Sequence, residues 1–419
     1  MPTLLQRAFA PFIRRGTLRV RAADGSSFTL GDGGPPRVAI RFTDLAAQRW
    51  LLVDPELKLG ELFADGRLVV EEGSIYDLFK LALQDSHGDR DRLPVRAAPL
   101  VRALFARFGN RNDARRSRRN VAHHYDLDGA FYSLFLDPDR QYSCAYFERP
   151  EMSLEAAQLA KKRHVAAKLL VEPGQSVLDI GSGWGGLALY LAQVAGAGRV
   201  RGVTLSTEQL AYASRRAAEQ GLDGPVAFAL EDYRTTRGPF DRVVSVGMFE
   251  HVGVADYDAY FGGVARLLAE DGVALVHTIG RTGPPAYLNP WMAKYVFPGG
   301  HLPTLSEIAP AVERAGLVLC DVEVLRLHYA DTLRAWRERF LARRAEAVRL
   351  TDERFCRLWE CYLAMAEAAF RFEDLVVFQL QFARRNDGVP PPRAYIAERE
   401  ARLRAAEARL EPACAAAGC

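Results

Sequence analysis

Cysteine is scarce and irregularly spaced in this chain of 419 residues: six, at positions 144, 320, 356, 361, 414 and 419, with no C-x-x-C pair. That spacing excludes a thiolate zinc site and a disulfide framework, and it suits a reducing compartment. No H-x-x-x-H or comparable spacing supplies three ligands, so no metal is expected. No apolar run approaches the ~18 residues of a membrane-crossing helix. The N-terminus, broken by Pro2, Arg7, Pro11, Arg14 and Arg15, does not read as a signal peptide. An excess of one charge is lacking too. The net charge of +3 and pI near 8.5 are too slight to argue for nucleic acid, but they suit a surface that visits anionic lipid. The expectation is a cytoplasmic protein, peripherally associated with the inner face of the membrane.

The length allows two or three domains. Strand-like runs at 18–21, 28–30 and 38–42, with helices at 57–63 and 74–83, predict a small α+β domain over residues 1–108. A basic linker is expected at 109–120. Seven arginines between 102 and 119 face one acid, Asp113, with Leu100, Leu104, Phe105 and Phe108 at helical spacing. A solvated helix and a lipid-contacting amphipathic one both fit that pattern. From Gln175, strands at 176–180, 200–205, 226–230, 241–246 and 272–279 alternate with helices at 185–194, 207–220 and 256–269. This order predicts an α/β fold, a doubly wound sheet whose parallel strands are joined by crossover helices. The catalytic domain is expected at 121–390, and a helical or flexible tail at 391–419, after Pro390-Pro391-Pro392.

The centre of that domain is Val177-Leu178-Asp179-Ile180-Gly181-Ser182-Gly183-Trp184-Gly185-Gly186. A buried strand runs into a glycine turn and then a helix, with Gly181, Gly183 and Gly186 in G-x-G-x-x-G spacing. The pattern alone fits several nucleoside cofactors, or a plain tight turn. Asp179 separates them. A carboxylate repels the pyrophosphate of a dinucleotide, but attracts the ammonium and sulfonium of S-adenosylmethionine (SAM). A nicotinamide site also wants an acid about 20 residues on. Here the second strand ends in Thr204-Leu205-Ser206, followed by Gln209, groups suited to a ribose. After the third strand, Asp232, Tyr233 and Arg234 suit an adenine. After the fourth and fifth, Glu250-His251 and His277-Thr278-Ile279 place a glutamate and a histidine where they can converge on one small ligand.

These motifs, in this order, resemble the cyclopropane-fatty-acyl-phospholipid synthase family. The resemblance lies in His124-Tyr125-Asp126-Leu127, Tyr142-Ser143-Cys144-Ala145-Tyr146, Val177 to Gly186, Asp241 to Gly253, His277 to Gly280 and Trp291 to Pro298. Gly60-Glu61 and Asp65-Gly66 are similar to the family's N-terminal domain. The resemblance implies a class I SAM methyltransferase fold, Rossmann-like, with a smaller α+β N-terminal domain. It implies an enzyme that adds the SAM methyl carbon to the cis double bond of a phospholipid acyl chain and closes a cyclopropane ring. It also implies a bicarbonate ion as base, with ligands Cys144, Glu250, His277, Ile279 through its backbone, and Tyr329. The implied SAM contacts are Tyr142, Ser143, Gly181, Thr204, Leu205, Gln209 and Asp232 to Arg234; Asp179, Gly183 and Ser206 join them on the reading above.

The chemistry matches the residues. An alkene is a weak nucleophile, and methylation leaves a carbocation. Aromatic faces from Tyr125, Phe147, Tyr329 or Phe372 can stabilise it, and water must be kept away. Such a substrate implies peripheral contact with the bilayer; a homodimer is left open. Ser182 stands where the family often has a cysteine. Ala366 stands where many members have another, so no covalent cysteine is expected. The rivals are a relative giving a methylene or methyl-branched chain, a small-molecule N-methyltransferase, and a silent SAM- or lipid-binding protein.

Overall fold

The computed structural model describes residues 3–85 and 129–417, with side chains through Leu410. The basic linker and the His124–Leu127 motif lie outside the described residues. Among the described residues eleven strands form two sheets, and the chain divides into two compact units.

In the first unit, strands β1 (Thr17–Arg21), β2 (Ser27–Gly31), β3 (Arg37–Phe42) and β4 (Leu68–Glu72) lie in the order β2-β1-β3-β4. β1 runs antiparallel to β2 and parallel to β3. The helix Ile75–Leu83 begins at a reciprocal cap, where Ser74 and Asp77 satisfy each other's backbone N–H groups. The helix Leu45–Val53 and strand β4 were not legible in the sequence. The unit is also discontinuous. Segments 286–298 and 329–375, expected in a contiguous catalytic domain, group instead with the N-terminal residues. The reason lies in packing: the helix Glu353–Phe372 lies against the helices Pro55–Ala64 and Ile75–Leu83. Trp291 approaches Gly60 so closely that a Cβ there would fall 2.4 Å from the indole nitrogen.

The second unit holds seven strands: β5 (Ser176–Ile180), β6 (Arg199–Thr204), β7 (Val226–Leu230), β8 (Phe240–Val246), β9 (Leu268–Arg281), β10 (Val318–Leu325) and β11 (Leu375–Ala383). Their order is β10-β11-β9-β8-β5-β6-β7. β5 through β9 are mutually parallel where they pair, and β10 is antiparallel to β11. Apolar strands such as Val177-Leu178 and Val243-Val244 are covered on both faces. One face packs with the helices Tyr257–Leu267 and Leu305–Arg314, the other with Leu154–Lys168 and Gly186–Gln193. Residues 376–417 belong to this unit, so the expected tail is part of a compact body. Its helix, Ala394–Ala417, buries Tyr395 and Ile396 and joins the helix Leu154–Lys168 through Glu400–His164 and Glu407–Arg163.

Candidate active site

Strand order reverses at β5, with β6 on one side and β8 on the other. The loops after β5 and β8 therefore diverge and open a crevice at the strands' carboxyl ends. A pocket occupies it. The turn after β5 needs glycine for two reasons. Gly181 has φ +79° and lies so close to Met248 that a Cβ would come within 2.9 Å of the methionine Cβ. Gly183, at φ +54°, opens onto empty space, leaving its backbone free to meet a ligand.

Asp179 lines the pocket from β5. It is 2 % exposed, and its Oδ2 has no hydrogen-bond partner among the described residues. Burial pushes its carboxyl up to about 7, with the Lys161 charge pulling the other way. After β6, Thr204 Oγ1 donates to Gln209 Oε1 at 2.8 Å, and both line the pocket with Leu205. Ser206 does not line it. Its hydroxyl accepts the Gln209 N–H at 3.3 Å and caps the helix Thr207–Glu219, so its part is to start the helix that carries Gln209. After β7, Asp232 accepts two bonds from the Arg234 guanidinium, at 2.9 and 2.8 Å. Tyr233 stands edge-on to Tyr260, with centroids 5.4 Å apart.

Tyr142 and Ser143 reach the pocket from the loop before the helix Leu154–Lys168. Tyr142 packs against Tyr132 at 5.4 Å, and Tyr132 against the pocket-lining Trp184 at 5.0 Å. The buried side of the loop is polar. Ser143 Oγ accepts from Lys161 Nζ at 2.9 Å, and its carbonyl accepts from Gln158 at 2.9 Å. Further along, Tyr146 is stacked between His164 at 4.3 Å and His328 at 5.0 Å. His164 is bonded at both ring nitrogens, to Glu400 at 2.7 Å and Glu323 at 2.8 Å. Burial opposes a charged ring, but the two carboxylates outweigh it and raise the pKa.

Beside the pocket lies a second, drier group. Glu250 follows β8 in a short 3-10 turn. Its Oε1 accepts the Ile279 N–H at 2.6 Å, and its Oε2 has no partner among the described residues. Burial pushes this carboxyl up to about 7. On β9, His277 is 2 % exposed; its Nδ1 faces Gln379 Nε2 at 3.2 Å, and its Nε2 is likewise unpartnered. Burial holds its pKa well below 6.5, so the ring is neutral. The Gln379 amide covers the Nδ1 side of the ring and leaves Nε2 open to a ligand. Cys144 is 1 % exposed. Its neighbour Ser143 packs at the end of β8, where Gly247 N–H donates to the His277 carbonyl at 2.9 Å. Four of the five expected anion ligands thus belong to one unit. Tyr329 belongs to the other, where it packs on Phe370 at 4.9 Å. Cys361 is fully buried, and burial pushes its thiol far up, which leaves it inert.

Sequence reasoning missed Lys161, Gln158 and Gln379. Lys161 lies in a helix whose buried positions include Lys161, Arg163, His164 and Lys168, so polarity gave no sign of which face was inside. Gln379 sits in an apolar strand, and a glutamine there could have been noticed as a buried polar residue needing a partner.

Known proteins resemble the chain over most of its length. The family described as "Mycolic acid cyclopropane synthetase" matches residues 112–380. The chain is 40 % identical over 334 residues to the cyclopropane-fatty-acyl-phospholipid synthase of Escherichia coli (strain K12), covering 80 % of this chain and 85 % of that one. It is 35 % identical over 378 residues to the tuberculostearic acid methyltransferase UfaA1 of Mycobacterium tuberculosis, covering 86 % of each. The crystal structure of mycolic acid cyclopropane synthase CmaA1 complexed with SAH and CTAB superposes with a TM-score of 0.60 at 34 % identity, covering 63 % of this chain and 97 % of that one.

Proposed function

Because the chain belongs to the mycolic acid cyclopropane synthetase family, we propose that it converts the cis double bond of a phospholipid acyl chain into a cyclopropane ring, using SAM. The fold is accordingly the class I, Rossmann-like methyltransferase fold. The observation that carries the reaction is the pair of buried, unpartnered polar atoms beside the cofactor pocket, Glu250 Oε2 and His277 Nε2. Transfer to an amine goes through nitrogen's own electron pair and leaves no carbocation, so it needs no dry oxyanion cage. Transfer to an alkene needs a dry site and a proton acceptor for ring closure.

The cofactor pocket fits SAM: a glycine turn with open space at Gly183, and a buried carboxylate at Asp179 awaiting a cationic group. When bound, SAM supplies an electrophilic methyl carbon. Thr204, Gln209 and the Asp232–Arg234 segment hold its nucleoside, and Tyr142 and Ser143 close over it. Bicarbonate fits the second group and would supply the proton acceptor, held by Cys144, Glu250 and His277; the Ile279 N–H is already given to Glu250 Oε1 and orients that carboxylate. The unpartnered atoms are complementary for this: His277 donates to an oxyanion when its ring proton is on Nε2, and Glu250 Oε2 accepts a hydroxyl hydrogen.

Mass spectrometry and proton NMR of lipids from a host expressing the chain test the proposal. A gain of one CH₂ with loss of vinyl protons is the expected result. The similarity to the tuberculostearic acid methyltransferase favours a second reading, in which the cation loses its proton elsewhere and the product is a methylene or methyl-branched chain that keeps a double bond. The same mass gain with alkene protons retained, and no ring protons, would establish that one.

The substrate brings a membrane contact with it. Drawing a whole phospholipid into water exposes a large apolar surface, at ~25 cal/mol per Å², so the enzyme docks on the bilayer instead. The arginine-rich sequence before residue 120 is the candidate contact, each cation near an anionic surface being worth about 1 kcal/mol. Replacing Arg115, Arg116, Arg118 and Arg119 by glutamine should weaken sedimentation with anionic vesicles far more than with neutral ones. Unchanged binding would place the contact elsewhere.

A further inference from the structure

The helix Leu154–Lys168 carries a row of buried and half-buried cations, and all but one are in a salt bridge. Lys162 pairs with Asp139 at 2.7 Å, Arg163 with Glu407 at 2.7 Å, His164 with Glu323 and Glu400, and Lys168 with Asp321 at 2.8 Å. Lys161 is the exception. It is 1 % exposed, yet its only hydrogen bonds among the described residues go to two neutral oxygens, Ser143 Oγ at 2.9 Å and Gln141 Oε1. An ammonium has three donors, so one remains. Burial pulls Lys161 down to about 8, with the charges of Asp137 and Asp139 pulling the other way from beyond salt-bridge distance, which still leaves it charged at neutral pH. A buried cation hydrogen-bonded only to neutral groups is costly unless something in direct contact supplies the opposite charge.

Lys161 lines the cofactor pocket. So does Asp179, a buried carboxylate with an unpartnered oxygen. The other lining cations are already committed: Arg234 to Asp232, and Arg140 to the Ser133 hydroxyl at 2.8 Å and the face of Tyr212. One pocket wall therefore presents a lone buried cation and a lone buried anion with no ion pair between them. A ligand with an ammonium and a carboxylate side by side satisfies both. The amino-acid end of SAM is such a group.

We infer that Lys161 binds the α-carboxylate of the cofactor while Asp179 faces its ammonium, so the pocket recognises the amino-acid end as a zwitterion. This rests on the SAM reading above. The bonds to Ser143 and Gln141 then have a purpose: they aim the ammonium and tie its position to the loop that closes over the cofactor. A plain brace for that loop could have been a neutral donor at far lower desolvation cost.

The test compares S-adenosylhomocysteine with its decarboxylated analogue, identical but for the missing carboxylate, by calorimetric titration. The wild-type protein should prefer S-adenosylhomocysteine by about tenfold or more, as for loss of one charge-assisted hydrogen bond. Lys161→Met should abolish that preference, weakening S-adenosylhomocysteine while leaving the analogue unchanged or slightly tighter. Equal binding of both ligands by the wild type overturns the inference, and that arm needs no variant to fold. So does a variant that weakens both ligands alike, which would make Lys161 a brace only. If S-adenosylhomocysteine does not bind the wild type at all, the cofactor reading itself fails, and this inference fails with it.

Discussion

Glu250→Gln should lower turnover at least about 100-fold, within the range by which positioned acid–base groups act, while S-adenosylhomocysteine binds as before. The amide keeps an oxygen for the Ile279 N–H, now bonded at 2.6 Å, so the turn should hold. At the other position it replaces the unpartnered acceptor Oε2 with a donor, which reverses the polarity offered to a small oxyanion. The pH profile gives a second signature. Burial pushes the Glu250 carboxyl up to about 7, so the accepting carboxylate form is present above that value and lost below it. Wild-type turnover should therefore rise with pH through about 7, and this limb should be missing from the variant. Stripping dissolved bicarbonate should slow the wild type as well. Full activity in carbonate-free buffer, with none retained by the protein, would make a side chain the base.

Asp179→Asn should act in opposite directions on binding and stability. Removing the carboxylate that faces the cofactor's ammonium should weaken S-adenosylhomocysteine about 10- to 100-fold, the loss of one charged hydrogen bond of roughly 1.5–3 kcal/mol. The ligand-free protein should become more stable. Asp179 titrates near 7 when folded and at 3.8 as a free side chain, so the folded chain holds this proton more tightly. Stability then falls as pH rises from about 4 through about 7, and the penalty is complete above that. Asparagine carries no such penalty. The melting temperatures of the two proteins should run parallel below pH 4, with the variant gaining steadily on the wild type up to pH 8. A variant no more stable at pH 8 than at pH 4, relative to wild type, would show that Asp179 pays no burial cost, and unchanged affinity would remove it from the site.

Much of the fold could be read from local pattern. The five parallel strands and their helices fall within a few residues of the sequence reading, except β9, which runs from Leu268 to Arg281, longer at its start. Alternating apolar strands and amphipathic helices are set by nearest neighbours along the chain. The glycine turn was legible for the same reason, since positive φ and close approach to Met248 both demand glycine. Asp179 was legible by position, because residues at the carboxyl ends of parallel strands face the crevice; Glu250 and His277, read in the same way, lie outside the lining of that pocket.

What the sequence by itself determined, then, is the doubly wound sheet, the place of the cofactor turn, and the residue types offered at each strand end. Tertiary structure alone decided how those residues are partnered. Besides the nearby Asp139, the carboxylates that neutralise the helix Leu154–Lys168 include Asp321, Glu323, Glu400 and Glu407, between 153 and 244 positions further along the chain from their partners. It also decided that Lys161, indistinguishable in sequence from Lys162 beside it, has only neutral partners and faces the pocket, and that Ser206 caps a helix. The physical reason is that backbone periodicity is a local property, whereas the cost of a buried charge depends on whichever distant groups the fold brings within a few ångströms of it.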